Sequence, residues 1–350
     1  GSAEKPSVGV EDPGASAEEP GAGAKAPGAI ADDPGATGGG EVVLKNGVDP
    51  REGDKFRQIR GSKLTCGSRI SALTANPDAE LTYNPLYIMG LKLVPLWRFN
   101  DIFHLKLDVS VLFEITNSDT TTRRREAVLE DISLGIYFAR LVTIPGAGID
   151  VNAGFDISAP TSKASIAQSL IPRLGPSLQL KRSFELLSGA QLSYRFKFSK
   201  YLHGYRTSQT EVHRISGCSA SVRGCDPFIT TGVRNTSWQT NNAFGGSISL
   251  LPWLHFGAIF GIFNARLYDL TRDESATFQP QEATDFRHFY LYNLELAFTP
   301  IKLLEIGVGS DTLNPQLKPD STRYAPFFNR YTMVYLELRL DLERLVTRLS

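Results

Sequence analysis

One stretch, Asp101 to Thr116 (DIFHLKLDVSVLFEIT), constrains the fold of this chain more than any other. The apolar residues occupy one parity: Phe103, Leu105, Leu107, Val109, Val111, Phe113 and Ile115. The other parity is polar or charged except at Leu112. Because a β-strand sends alternate side chains to opposite faces, the stretch predicts a strand with one apolar and one charged face. An antiparallel sheet over a soluble core alternates in the same way, so the rest of the chain must distinguish the two structures.

The same alternation recurs along the chain, and the connections between the alternating segments are sorted by length. We count twelve segments between residues 55 and 342, joined by five tight corners and six longer polar loops in strict alternation. A soluble sandwich has shorter strands and no reason to sort its loops. The pattern therefore predicts an all-β fold, an antiparallel transmembrane β-barrel of about 12 strands, with tight turns at the periplasmic end and longer loops outside.

Residues 1–54 differ in composition from the segment that follows. They carry eleven acidic and four basic residues, a net charge of −7, whereas the whole chain is neutral. Pro13, Pro20, Pro27 and Pro34 recur every seven residues, each followed by Gly-Ala. Such a segment cannot bury enough apolar surface to fold, so we predict a disordered acidic tether at 1–54, a barrel at 55–342 and a short tail at 343–350. The spacing of Leu345, Val346 and Leu349 indicates a helical turn in that tail.

The sequence was also searched for membrane-spanning helices and an export signal. No run of about 18 apolar residues is present, so no transmembrane helix is predicted. The chain begins GSAEKPSVGV without a leader, and we expect a mature chain from which a signal was removed.

The last alternating segment carries a known signal. Tyr331 to Leu338 (YTMVYLEL) has an aromatic start followed by apolar residues at alternate positions. It resembles the C-terminal recognition strand of bacterial outer-membrane β-barrel proteins, although Met333 stands where glycine is usual and the chain does not finish on an aromatic residue. The resemblance covers roughly residues 55–342 and implies an integral protein of the Gram-negative outer membrane.

Aromatic residues concentrate near both ends of the predicted strands, where amphipathic rings meet lipid head groups. At the tight corners these are Trp97, Phe99, Trp253, Phe256 and Phe298, and at the loop ends Tyr201, Tyr205, Tyr268, Phe289, Tyr290 and Phe327. The alternative is the ordinary preference of strands for aromatic residues.

The polar parity of the strands is where function must be sought. It carries charges of both signs, which we predict to line the lumen: Lys106, Asp108, Glu114, Lys181, Arg195, Lys197, Glu295, Glu337 and Arg339. These charges can line a water-filled passage or pair across strands and plug a narrow barrel. Twelve strands lie between filled eight-stranded barrels and wide porins. We expect a small channel, a porin for ions or small polar solutes, and the balance of signs predicts weak selectivity.

Several arginines fall in the outer loops: Arg123, Arg124, Arg125, Arg206, Arg214, Arg223 and Arg234. They can steer anionic solutes or pair with phosphates of outer-membrane lipid and lipopolysaccharide. We expect no nucleic-acid partner, because basic residues are not clustered on one face. As an alternative to a channel, the barrel could be a non-conducting anchor, with residues 1–40 holding an envelope protein partner. Autotransporters resemble the chain in having twelve strands and an N-terminal extension.

Cysteine and histidine chemistry offers two further hypotheses. Cys218 and Cys225 bracket the polar segment CSASVRGC, which favours a disulfide in an oxidising compartment. Only His213 is near, so we predict no metal site and no cofactor. Cys66 is interpreted as an inert, partly buried thiol.

An outer-membrane hydrolase is the third functional class. Asp285 and His288, with Asp269 and Asp273 close in sequence, resemble in kind the acid–histidine groups of omptin proteases, although no motif of that family matches. Residues three apart on a strand point to opposite faces, which weakens this idea. His203 flanks the longest loop without a serine motif, and His104 and His255, beside tight corners, are expected to meet the membrane interface. We predict that the protein is not an enzyme.

Overall fold

The chain folds into a closed antiparallel barrel of twelve strand positions. The computed structural model describes residues 57–72, 86–116, 125–211, 228–270, 285–318 and 321–349. The strands are β1 Lys63–Ser71, β2 Tyr87–Val94, β3 Leu96–Arg98, β4 Phe103–Glu114, β5 Ala127–Leu129, β6 Ile132–Ile144, β7 Ile149–Ala159, β8 Leu170–Phe184, β9 Ala190–His203, β10 Thr207–Glu211, β11 Phe228–Arg234, β12 Thr236–Leu251, β13 Leu254–Leu267, β14 Phe286–Ile301, β15 Leu304–Pro315 and β16 Thr332–Asp341. A 3-10 turn, Arg57–Ile59, precedes β1, and the helices are α1 Lys163–Ala167 and α2 Leu342–Leu349.

Sixteen strand segments make twelve positions because two wall strands are interrupted and two strands lie outside the wall. Pro95, which cannot donate to a ladder, separates β2 from β3, and both pair with β4. Glu130 and Asp131 separate β5 from β6, which also share β4 as a neighbour. Strands β10 and β11 form a separate hairpin between β9 and β12. The predicted twelve-strand barrel is confirmed.

The wall closes where the first strand meets the last. Lys63 to Ser71 of β1 pair antiparallel with Asp341 to Met333 of β16, so no edge strand is left open. Following the paired residues from strand to strand around the wall, starting at Lys63, leads back to β1 at a point about 16 residues further along, and this offset is the shear of the barrel. With neighbouring strands about 4.8 Å apart, this shear corresponds to a strand tilt of about 40° and a backbone radius of about 12 Å.

Connections are sorted by length as the sequence predicts. The turn from β6 to β7 spans four residues, in which Gly146 and Gly148 adopt positive φ angles of 78° and 60°, a conformation that glycine accommodates without steric cost. All five turns of this kind lie at one end of the barrel. The longer connections lie at the other end. Because short turns are periplasmic in outer-membrane barrels, the tight-turn end is the periplasmic end.

The outside of the barrel is apolar. Positions that face outward include Leu91, Phe113, Phe155, Phe244 and Leu336, which are between 41% and 51% exposed. Most of the buried positions that alternate with them are polar, including Asp108, Ser110 and Glu114 of β4. This polarity is the inverse of a soluble protein and fits a barrel surrounded by lipid. The protein is therefore an integral outer-membrane β-barrel. Separately, none of the helices in the described residues is long and apolar enough to span a bilayer.

The aromatic prediction is confirmed at the periplasmic end and corrected at the outer end. Trp97, Phe99 and Trp253 are 46%, 59% and 47% exposed, and Trp253 stacks on Phe298 with ring centroids 5.9 Å apart. At the outer end Tyr205 and Phe327 are also exposed. However, Tyr201 and Phe289 are buried, because their odd-numbered positions on β9 and β14 point into the barrel.

Two expectations about single side chains were wrong for the same reason, namely the parity of the strand. Cys66 was expected to be partly buried, but it is an exposed free thiol because it lies on the outward face of β1, beside Leu91 and Leu338. His104 and His255 were expected at the membrane interface, but they point inward. His104 stacks on Tyr137 with centroids 5.6 Å apart, and buried His255 lies 3.0 Å from the hydroxyl of Ser249 through Nδ1.

Candidate functional site inside the barrel

The inner wall formed by β1, β14, β15 and β16 carries a network of ion pairs. Arg339 donates through Nη1 to Glu305 at 2.7 Å and to Glu295 at 2.8 Å, and through Nη2 to Glu337 at 2.7 Å. A further contact joins Arg339 Nη2 to Glu295. The three carboxylates come from three different strands, so one guanidinium joins β14, β15 and β16.

A second arginine extends this network across the closing seam. Arg69 of β1 donates to Asp311 at 3.0 Å and to Glu337 at 3.2 Å, so Glu337 bridges the two arginines. Tyr335 donates to Glu295 at 3.0 Å. We call Arg69, Glu295, Glu305, Asp311, Glu337 and Arg339 the acidic wall, because four carboxylates face two guanidinium groups.

The opposite wall is basic. Lys181 and Arg173 lie on β8, and Arg195 and Lys197 on β9. We call these four cations the basic wall. Asp156 of β7 lies 3.4 Å from Lys197, and Asp150 of β7 is opposite Lys181 in the register. In the strand order β8 and β9 are six positions from β16 and β1. The two walls therefore face each other across the lumen.

Two tyrosines lie flat over glycines of the inner wall. Tyr137 of β6 covers Gly135 and Gly154, whose added Cβ atoms would come within 2.4 and 2.6 Å of its ring, and its hydroxyl donates to Asp156. Tyr335 covers Gly309 in the same way. Glycine lets the ring lie against the backbone, so these two large side chains do not extend toward the barrel axis.

The outer half of the lumen is partly apolar. Phe263, Phe289 and Leu291 of β13 and β14 are at most 3% exposed and pack with Ile259 and Leu313. The alternation in the sequence predicts a largely polar inward parity. The register pairs Phe263 with Phe289 and Leu291 with Leu313, so this part of the inner surface is hydrophobic.

Three outer connections are joined at Asn235, between β11 and β12. Its Nδ2 lies 3.0 Å from the carbonyl of Gln168, 2.9 Å from that of Tyr205 and 3.2 Å from that of Thr207. The connection that holds α1 is also bound to the β5–β6 interruption, because Asp131 accepts from the backbone of Ser162 at 2.9 Å. We call α1, Asp131 and Asn235, with the carbonyls that Asn235 contacts, the outer cap.

Replacing Asn235 with alanine is expected to loosen the outer cap without opening the barrel. Loss of a buried donor leaves its acceptors unsatisfied at a cost of about 1–3 kcal/mol, so cleavage of the outer loops by an added protease should accelerate roughly tenfold. Asn152→Ala, which removes an exposed acceptor 2.8 Å from the backbone of Arg140 at the periplasmic end, is the control. Equal cleavage rates in the two variants would mean that Asn235 does not hold the cap.

All nine residues predicted to line the lumen lie on the inward parity. Asp108, Glu114, Glu295 and Glu337 are buried; Asp108 is 3.0 Å from Lys92, and Glu114 accepts from Thr116 at 2.6 Å. Lys106, Lys181, Arg195, Lys197 and Arg339 are partly exposed. The structure brings Glu295, Glu337 and Arg339 together and places Lys181, Arg195 and Lys197 on the opposite wall. That they border an open water path stays a prediction.

Several residues of these walls were not predicted from the sequence. Arg69 lies beside outward Ile70 and Glu305 beside outward Leu304 and Ile306, so alternation could have identified both. Asp311 was assigned to a loop because the segment was ended at Ser310, whereas β15 continues to Pro315. Tyr137 and Asp156 carry no signal in the sequence that links them, since their contact depends on the register between β6 and β7.

Other predicted residues have different outcomes. Arg125 and Arg206 are exposed, and Arg234 is buried and donates to Asp285 at 2.8 Å. Arg123, Arg124, Arg214, Arg223, His213, Asp273, Cys218, Cys225 and the tether 1–54 lie outside the described residues, so the disulfide stays a prediction.

The candidate acid and histidine of a hydrolase contact different partners. The hydrogen bond from Arg234 lowers the pKa of Asp285, so this carboxylate is ionised near neutral pH. His288 is exposed and its Nδ1 lies 2.7 Å from Oδ1 of Asn264. His203 contacts the carbonyl of Gln168 at 2.8 Å.

Three solved structures of other proteins are similar in fold to this chain. The sequence matches no family model, and no curated protein matches it. An outer-membrane channel of the COG4313 group from Pseudomonas putida F1 is 10% identical, with a TM-score of 0.47, over 80% of this chain and 95% of the other. The NanC porin is 10% identical with a TM-score of 0.41, covering 80% and 98% of the two chains. The KdgM porin is 8% identical with a TM-score of 0.39, again covering 80% and 98%.

Proposed function

We propose that the protein is an outer-membrane channel for ions and small polar solutes, with the two charged walls setting its selectivity. The observation that carries this proposal is the separation of charge: the acidic wall on β1 and β14–β16 and the basic wall on β8–β9 lie half a turn apart. If the lumen were plugged by ion pairs across its centre, these charges would meet. Instead the acidic wall pairs within itself.

The size of the barrel supports a water-filled centre. A backbone radius of about 12 Å gives a diameter of about 24 Å. Two side chains of about 6 Å each, extending from opposite walls, leave roughly 12 Å, which is several water diameters. The apolar cluster around Phe263 lines part of the outer half, whereas Lys181, Glu305 and Arg339 lie toward the periplasmic end.

The charges on the two walls predict weak selectivity between ions of opposite sign. On one side the four cations stand beside Asp150 and Asp156, and on the other side two cations stand beside four carboxylates. A permeating ion therefore meets charges of both signs. Small neutral polar solutes need no pairing and should also pass. Selectivity is therefore expected to be weak because the acidic and basic walls have opposite effects on a permeating ion, and not because the lumen lacks an electrostatic field.

The experiment is conductance and reversal potential across a planar bilayer. Arg195→Glu with Lys197→Glu changes the basic wall by four charges. At about 10 Å in water each charge contributes about 0.4 kcal/mol, and screening reduces the sum to roughly 0.6 kcal/mol. A cation gains this energy and an anion loses the same amount, so the ratio of cation to anion permeability should rise about eightfold.

The matched control is Lys200→Glu with Arg266→Glu, which changes outward-facing charges by the same amount and should leave the ratio unchanged. A sealed bilayer with folded wild-type protein present would contradict the channel and favour the anchor. An unchanged ratio in the Arg195 and Lys197 variant would contradict the role of the basic wall.

A further inference from the structure

Cations and aromatic rings alternate in one row on the outside of the barrel. The registers pair Lys200 of β9 with Trp238 of β12, Trp238 with Arg266 of β13, and Arg266 with Phe286 of β14. These positions share the outward parity of Phe244 and Phe256, which are 51% and 40% exposed. The row therefore lies on the surface that faces lipid, close to the loop ends of four adjacent strands.

The cations of this row are held against aromatic faces. Lys200 Nζ lies 5.2 Å from the centroid of the Tyr268 ring and 2.8 Å from the hydroxyl of Ser237. Arg266 lies 5.5 Å from the centroid of the Phe286 ring and 3.5 Å from Asp269. A third cation, Arg206, donates to the carbonyl of Asp269 at 2.7 Å. Asp285 also interacts with Arg266 and accepts a hydrogen bond from Arg234, so in the described part of this surface four cations accompany two carboxylates and the local charge is positive.

The depth of the row places it at the outer head groups. Thirteen residues separate Trp253, in the periplasmic turn, from Arg266. With about 3.3 Å per residue and a tilt of about 40°, they span roughly 30 Å along the membrane normal. The apolar band of an outer-membrane barrel is about 25 Å tall, so Lys200 and Arg266 lie just beyond its outer edge.

We propose that this row binds the phosphorylated head group of an outer-leaflet glycolipid of the lipid A type. Ammonium and guanidinium groups are suited to phosphate, and Trp238 and Phe286 offer apolar faces where acyl chains meet the head group. Asp269 is 73% exposed, so a phosphate can replace it as the partner of Arg266 by a side-chain rotation. The site is independent of conduction, because it lies outside the lumen.

The experiment is a titration of the full chain in detergent, followed by native mass spectrometry. Three probes are compared: bis-phosphorylated lipid A, the same lipid after removal of its phosphates, and inorganic phosphate alone. The wild-type protein should retain bis-phosphorylated lipid A, and Lys200→Gln with Arg266→Gln should weaken that binding at least about tenfold. Lys200→Arg with Arg266→Lys keeps both charges and should bind nearly as well as the wild type.

The control is Arg182→Gln, which removes a cation 4.8 Å from the Phe184 ring at the periplasmic end and should leave lipid A binding unchanged. Correct folding of each variant is checked by its heat-modifiable migration on a gel. Equal affinity of wild type and the Gln double variant would overturn the proposal. Equal retention of the dephosphorylated lipid, or binding of inorganic phosphate as tight as that of lipid A, would overturn the lipid phosphate as ligand.

Discussion

Replacing Arg339 with methionine is expected to lower the free energy of unfolding by about 3 kcal/mol, the largest effect among single substitutions in the acidic wall. Methionine keeps the length of the side chain but leaves Glu295, Glu305 and Glu337 without their shared cation. Removing one partner of a buried ion pair costs about 3–5 kcal/mol, and the lower end applies because 12% of the Arg339 side chain is exposed. The measurement is urea unfolding in lipid vesicles, followed by tryptophan fluorescence.

Two variants separate the charge from general damage to the strand. Arg339→Lys keeps the positive charge but cannot reach three carboxylates with a planar fork, so it should lose less stability than methionine. Arg182→Met removes an outward-facing arginine of β8 and should cost less than about 1 kcal/mol. If Arg339→Met and Arg182→Met proved equally stable, the acidic wall would not hold β14, β15 and β16 together.

Adding a methyl group at Gly135 and Gly154 together is expected to close part of the lumen as well as to destabilise the barrel. The new Cβ atoms would lie 2.4 and 2.6 Å from the Tyr137 ring, so the ring must leave the wall, and its hydrogen bond to Asp156 is lost. Overpacking of this kind costs about 1–3 kcal/mol. Because the ring has only the lumen to enter, single-channel conductance should fall along with stability.

The contribution of the ring is isolated by a double-mutant cycle. In a Tyr137→Ala background the same two alanines meet no ring. The ends of the Asp156 and Ser177 side chains, 2.5 and 2.9 Å from the added Cβ atoms, remain to be displaced, so the effect on conductance and stability should be much smaller. Gly257→Ala, on the inner face of β13 with its nearest neighbour 4.0 Å from the added Cβ, controls for a methyl group in the lumen. An unchanged conductance in the Gly135 and Gly154 variant would refute the wall-lying position of Tyr137.

Much of this fold could be predicted because a lipid-spanning strand has only two faces. The alternation in Phe103 to Glu114 identified β4 to within a residue or two, and the sorting of loops by length fixed the number and direction of the strands. Predictions failed where an element left the wall. Two segments were assigned to loops in the sequence, and they contain the helix α1 and, further along, the hairpin of β10 and β11 with the start of β12 at Thr236. They were missed because short elements outside the membrane carry no alternation imposed by lipid.

The sequence allowed a prediction of which residues of the candidate site face the lumen, but not of which of these residues contact each other. Parity assigned Glu295, Glu337 and Arg339 to the inside, yet it could not tell that they meet, since meeting depends on the registers of three strand pairs. Nor could parity separate a basic from an acidic wall, because that requires knowing which strands are half a turn apart. The glycines under Tyr137 and Tyr335 illustrate the same limit, since a ring can lie over a glycine on the neighbouring strand only in one register.

The pairing of β1 with β16 has a consequence for how the chain folds. The two strands that close the barrel, Lys63–Ser71 and Thr332–Asp341, stand at opposite ends of the folded chain, and loop closure over such a separation is slow. Every pair of wall strands that does not include β16 can form before this last strand is available. Arg69 joins the two only once closure has occurred, through Asp311 and Glu337. A nascent chain stalled before β16 would thus present two unpaired strand edges, and its exposure to chaperones and proteases should end abruptly when the final ten residues of the sheet are added.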